Sequence, residues 1–159
     1  MKDSTETVVY IVLGIAIALG INFGLGFLLH TSIPIVAVES NSMVPIFQKG
    51  DILIIQNVPE NELKKGDIIV FSVPGQAVPI VHRVIEINSD STFQTKGDAN
   101  NGQLPFEKSI GYNQVHGKEI LIIPYLGWVK IGLIEFVLPN IIWVILVIIV
   151  LILIYFIRQ

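Results

Sequence analysis

The chain has 159 residues, 52% of them hydrophobic, with a mean hydropathy of +0.71. That is too apolar for an ordinary soluble domain and leaves room for one domain plus membrane anchors. A formal charge of −3 gives no basic footprint for nucleic acid, and the absence of cysteine excludes disulfides, thiolate chemistry and cysteine-bound zinc.

The first element is the uncharged run Val8 to Leu29, 22 residues long. At a helical rise of 1.5 Å per residue it spans roughly 30 Å, the thickness of a bilayer's hydrocarbon core. A cleaved signal peptide is the rival reading. It would carry an apolar region of about 7–15 residues behind a basic start, whereas here Lys2 is offset by Asp3 and Glu6. Residues 1–30 are therefore expected to be an uncleaved anchor helix.

Residues 31–131 read as β-rich. Short β-branched runs occur at Ile33–Val38, Asp51–Ile55, Asp67–Phe71, Val81–Ile87, Thr92–Thr95 and Glu119–Ile123, separated by Gly, Pro, Asn and Lys clusters. Asp51 and Asp67 each follow a Lys-Gly pair and read as turn-capping residues. Tyr125 and Trp128 suit either the headgroup level or ordinary packing. Residues 132–159 are expected to hold a second membrane helix, over about Leu138 to Ile157. There Ile141 to Val150 shows no polar face, and Pro139 falls in the first turn where its missing N–H does no harm. The rival is a buried helix or an oligomer contact. Two spans put both termini on one side of the membrane, with the cytoplasm as the expected side.

Three residues carry potential chemistry. Ser42 lies in Ser40-Asn-Ser-Met-Val-Pro45, where Pro45 fixes its own φ and biases Val44 towards extended geometry. A serine hydroxyl becomes a useful nucleophile only beside a base; otherwise this is a hydroxyl-rich turn. His82 sits in the strand-like run Val81–Ile87. Alternation puts it on one face with Val84 and Glu86, and Arg83 on the other. An imidazole suits general-base work, although a strand histidine can equally be structural. Asp98, in Thr95-Lys-Gly-Asp-Ala-Asn100, is either an acid or a turn cap. His30 terminates the first span, and His116 precedes Gly117 in an expected turn. The three histidines make no metal-binding pattern.

Taken in order, these segments resemble the signal peptidase I family, of the archaeal and endoplasmic-reticulum type. Ser40–Pro45 resembles its nucleophile box, Lys65-Gly-Asp-Ile-Ile-Val70 the strand box after it, and Val81-His-Arg-Val84 the base box. Thr95–Asn100 resembles the acidic box, and Gly117-Lys118 with Ile123-Pro-Tyr-Leu-Gly-Trp128 the closing segment. The resemblance implies a mainly β, signal-peptidase-like catalytic domain outside the cytoplasm, flanked by two transmembrane helices in the cell membrane. It implies a membrane-bound serine endopeptidase, without a cofactor or metal, that removes signal peptides from exported preproteins and cuts after small residues. The partners implied are those preproteins, the bilayer and the protein translocation channel.

By residue, the resemblance makes Ser42 the nucleophile, His82 the general base and Asp98 the acid. It places Ser40 and Met43 at oxyanion and substrate-binding positions, and lets the run Ile33–Val38 receive an extended substrate as an added strand. One departure stands out: relatives carry a second aspartate shortly after the Gly-Asp, and here the stretch reads Gln103-Leu-Pro-Phe-Glu107. Asp98 alone, Glu107, or no carboxylate then orients His82. A different class of reading is a non-catalytic, translocon-associated membrane subunit with a decayed protease site.

Overall fold

The computed structural model describes residues 2–143, 145, 146, 150 and 154. Helix α1, Lys2–Leu28, contains the segment Glu6–Leu28, with a mean hydropathy of 2.4 and no part buried by the rest of the protein. Among the described residues it is the one helix long and apolar enough to cross a membrane. Half of the second expected span, 138–157, lies outside the described residues. Of it, 138–140 form a turn and 141–143 are helical.

The domain that follows is an antiparallel sheet. Its strands are β1 (Ile35–Ala37), β2 (Ile52–Gln56), β3 (Ile68–Phe71), β4 (Ile80–Ile87), β5 (Phe93–Lys96) and β6 (Val115–Ile123), in the order β1-β2-β6-β3-β4-β5. Each overlaps a β-branched run in the sequence, although β6 begins four residues before its run. The apolar density of β3 has a direct cause: all four of its residues are buried, because both faces are covered. Ile68 and Val70 pack with Val38, Met43, Phe47, Leu53 and Ile55 on one side. Ile69 and Phe71 pack with Val58, Leu63, Val84, Phe93 and Ile110 on the other.

Two local features depart from the sequence reading. Alternation along β4 holds through His82 and Val84, both buried, and then breaks at Ile85, where the register against β5 shifts and Glu86 turns to solvent. A bulge adds one residue to one strand and flips the faces beyond it. His116, expected in a turn, instead lies within β6. Gly117 continues the strand at φ +146, where a Cβ would stand 2.4 Å from the Gln56 carbonyl oxygen. The glycine there serves a close backbone approach between β6 and the end of β2, not a reversal of the chain.

The anchor joins the sheet through backbone and hydroxyl bonds. Asn57 N–H donates to the Leu29 carbonyl at 2.9 Å, and Thr31 Oγ1 donates to the His116 carbonyl at 2.9 Å. At the far end, a short helix α2, Trp128–Gly132, passes into a π-type turn, Leu133–Val137. The Trp128 indole lies against Gly50, whose φ of +97 and missing Cβ make room for it; a Cβ there would meet the indole nitrogen at 2.0 Å. Asp51 and Asp67 cap turns, as expected. Asp51 accepts from Gln48 N–H and Tyr125 N–H, and Asp67 from Lys64 N–H.

Candidate active site

Ser42 opens the turn between β1 and β2. Met43 and Phe47, 1% and 3% exposed, sink into the core and pin that turn to the sheet. Asn41 Oδ1 accepts from Lys49 N–H and Ile46 N–H donates to the Met43 carbonyl, so the loop is tied internally as well. The Val44-Pro45 peptide is cis. Met43, expected above at an oxyanion or substrate-binding position, takes part in this packing. Its side chain is core, because an unbranched apolar chain next to the serine is what anchors the turn.

His82 is the register partner of Ile69 on β3, and its side chain is buried. Its Nε2 lies 3.0 Å from Ser42 Oγ. Its Nδ1 is bonded to Glu107 Oε1. Glu107 is fully buried, in a 3-10 turn at Pro105–Lys108. Its other contacts are Leu104 N–H to Oε2 at 2.7 Å and Thr95 Oγ1 to Oε1 at 3.3 Å. A buried carboxylate needs such donors to be tolerated. Because an ionised carboxylate only accepts, the imidazole proton belongs on Nδ1, and Nε2 is left with its lone pair towards the Ser42 O–H. Ser40 Oγ stands 3.2 Å from Ser42 Oγ.

Asp98 is not part of this line. Both of its oxygens are taken by Arg83: Nε donates at 2.9 Å to Oδ1, and Nη2 at 2.6 Å to Oδ2. The expectation that Asp98 orients His82 thus finds no contact behind it, and the carboxylate against the imidazole is Glu107. The physical reason is strand alternation. Arg83 points to the face opposite His82, and the turn after β5 sends Asp98 to Arg83's side. A local signal for Glu107 existed in Leu104-Pro-Phe-Glu107: proline at the first position of a helical turn and glutamate at the third is the pattern in which the carboxylate reaches back to the turn's own N–H.

Hydrogen bonding to Asp98 raises the pKa of Arg83 further, so this guanidinium stays charged. Burial raises Glu119, against the opposing pull of Arg83. Burial lowers His116, whose Nε2 lies 2.7 Å from Ser72 Oγ.

A groove of about 540 Å³ runs beside the Ser42–His82 pair. One wall is β1 with its flanks, another is Val78–His82, and Leu104 and Phe106 from the Glu107 loop also line it. Strand β1 is an edge of the sheet. Val38 N–H donates to the Asp51 carbonyl and the Pro34 carbonyl accepts from Ile55 N–H. By alternation the peptide groups of Ile35 and Ala37 face away from β2. Among the described residues no group of three or more His, Cys, Asp or Glu side chains is placed to hold a metal ion.

A model of the "Peptidase S24-like" family matches residues 21–107, a stretch that includes Ser42, His82 and Glu107. The chain is 39% identical over 117 residues to the human "Signal peptidase complex catalytic subunit SEC11C", covering 68% of this chain and 61% of that protein. It is 39% identical over 124 residues to the corresponding SEC11 subunit of Lachancea thermotolerans, covering 70% of this chain and 73% of the relative. With that of Scheffersomyces stipitis it shares 47% identity over 79 residues, 48% of this chain and 47% of the relative. The chain thus spans about three fifths of the length of the mammalian relatives it matches.

Proposed function

The chain belongs to the Peptidase S24-like family and, within it, to the SEC11-type signal peptidases, and from that premise we propose that it is a membrane-bound serine endopeptidase that removes signal peptides from exported preproteins. The observation that carries the proposal is the continuous line from Ser42 Oγ through His82 to the buried Glu107 carboxylate. In this reading Ser42 Oγ attacks the scissile carbonyl while its proton passes to His82 Nε2. Glu107 holds the imidazole in the required tautomer and stabilises the imidazolium. His82 then protonates the leaving amine, and water releases the acyl group from Ser42 by the reverse sequence. The Ser42 N–H and the Ser40 hydroxyl form the oxyanion site.

The substrate lies extended in the groove. Its backbone adds to the free edge of β1, and small residues occupy the first and third positions before the cut. Helix α1 holds the site near the bilayer, where signal peptides emerge from the translocation channel. Partner subunits are proposed as well, since the relatives are named as catalytic subunits of a complex. A decayed, non-catalytic site gains no support from side chains that stand within hydrogen-bonding reach in catalytic order.

Ser42→Ala tests the proposal. The full-length protein in detergent or liposomes is expected to lose cleavage of a preprotein by about 10⁴-fold or more while keeping its thermal unfolding midpoint. Near-wild-type turnover in that variant ends the serine-peptidase reading.

A further inference from the structure

The Arg83–Asp98 ion pair stands beside the proposed relay without touching it, and acyl transfer through Ser42, His82 and Glu107 gives it no part. Its surroundings do. Arg83 follows His82 on β4. Besides its bonds to both oxygens of Asp98, it donates from Nη1 to the Gly66 carbonyl at 2.8 Å. The guanidinium therefore clamps two turns to the strand that carries the base.

The turn it holds through Asp98 is the one that touches the nucleophile. Ala99 N–H donates to the Ser42 carbonyl oxygen at 2.8 Å, and the turn is closed by Asn100 N–H to the Gly97 carbonyl at 3.0 Å. Lys96 Nζ adds a bond to the Asn100 carbonyl at 3.0 Å. Gly97 sits so close that a Cβ there would lie 2.7 Å from the Ser42 carbonyl oxygen and 2.9 Å from His82 Nε2. Only a glycine lets the turn approach both catalytic groups at once. A turn at that distance transmits any displacement of its own to the serine backbone.

We infer that the Arg83–Asp98 pair is a positioning device that fixes the Ser42 peptide, and with it the attacking oxygen and the oxyanion N–H, against the His82 strand. The inference rests on the serine-peptidase reading above. Two features favour positioning over mere surface charge. The contact is a two-oxygen fork, which constrains orientation as well as distance. It also joins an element carrying the base to an element bonded to the nucleophile, so its loss is felt in their relative placement. Misplacement of a reacting group by about 1 Å costs on the order of 10²-fold in rate.

The test measures full-length protein on an internally quenched peptide with alanine at the first and third positions before the cut. Asp98→Asn is expected to lower kcat about 10- to 100-fold, with KM within about twofold and the thermal midpoint retained. The pH midpoint of kcat stays where the wild type has it, since Asp98 does not touch His82, whereas Glu107→Gln moves it. The double variant Arg83→Gln/Asp98→Asn is no slower than the worse single variant, because both remove one contact. Arg83→Lys, which keeps charge but loses the fork, falls between wild type and Arg83→Gln, and it carries the test should Asp98→Asn fail to fold. Wild-type kcat in Asp98→Asn or Arg83→Gln, additive losses in the double variant, or a shifted pH midpoint in Asp98→Asn overturns the inference. Ser42→Ala is measured beside them. Activity in that variant sinks the serine-peptidase reading itself, whereas an inactive Ser42→Ala with an unimpaired Asp98→Asn sinks only the positioning role.

Discussion

Glu107 combines complete burial, an imidazole partner and two further donors on its carboxylate. Replacing it with glutamine keeps the shape and removes the charge. An amide has one accepting atom for two sets of donors, so either the Leu104 N–H or the His82 Nδ1–H then faces an NH2 group. The expected outcome is a fall in kcat of up to about 10⁴-fold with modest change in KM, the scale for losing the carboxylate behind a catalytic histidine. Steady-state turnover of the quenched peptide checks it, and a rate within a few-fold of wild type would remove Glu107 from the mechanism. The contrast with Asp98 shows what was legible at this scale. Ser42 and His82 announce themselves through short-range residue patterns. Which carboxylate reaches His82 is decided by strand faces and loop paths that bring residues 82 and 107 together, and no local pattern encodes that. The Pro105-Phe-Glu107 turn chemistry carried a usable hint, but it specifies a capped turn and not its neighbour.

At the scale of elements, the strands were legible as β-branched runs, which in β2, β3, β4 and β5 reflects burial of one or both faces. The bulge at Ile85 and the passage of β6 through His116 were not. Both are set by pairing register, which residue type scarcely marks. The element on which the proposed substrate binding rests is β1, three residues long and unpaired on its groove side. If an extended peptide adds to that edge, the outward N–H of Ala37 is one of its donors. Ala37→Pro deletes that N–H while sparing the bonds to β2, which come from residues 34, 36 and 38. One lost hydrogen bond is worth about 1 kcal/mol, and with some displacement of the chain kcat/KM should fall about tenfold. The thermal midpoint should move by only a few degrees. Unchanged kcat/KM in a folded Ala37→Pro variant would mean that substrate does not pair with β1.

For the whole molecule, the question is where the sheet sits relative to the bilayer. The α1 segment Glu6–Leu28 is strongly apolar, with a mean hydropathy of 2.4, and unburied by the domain, so water is a costly surrounding for it. At its C-terminal end the helix is bonded directly into the domain, Leu29 carbonyl to Asn57 N–H and Thr31 Oγ1 to the His116 carbonyl. Under the proposed function, that short junction keeps the sheet domain close to the membrane surface, where a preprotein's cleavage site is presented. The natural chain has no cysteine, so one introduced thiol is a unique reporter of sidedness. Asn61→Cys lies in the short 3-10 turn Glu60–Glu62, at an exposed position of the domain. In intact cells or right-side-out vesicles it should react with a membrane-impermeant maleimide. Asp3→Cys, before the span, should react only after the membrane is opened with detergent. External labelling of Asp3→Cys, or protection of Asn61→Cys until lysis, would invert the topology and place the Ser42 site on the wrong side for processing exported chains.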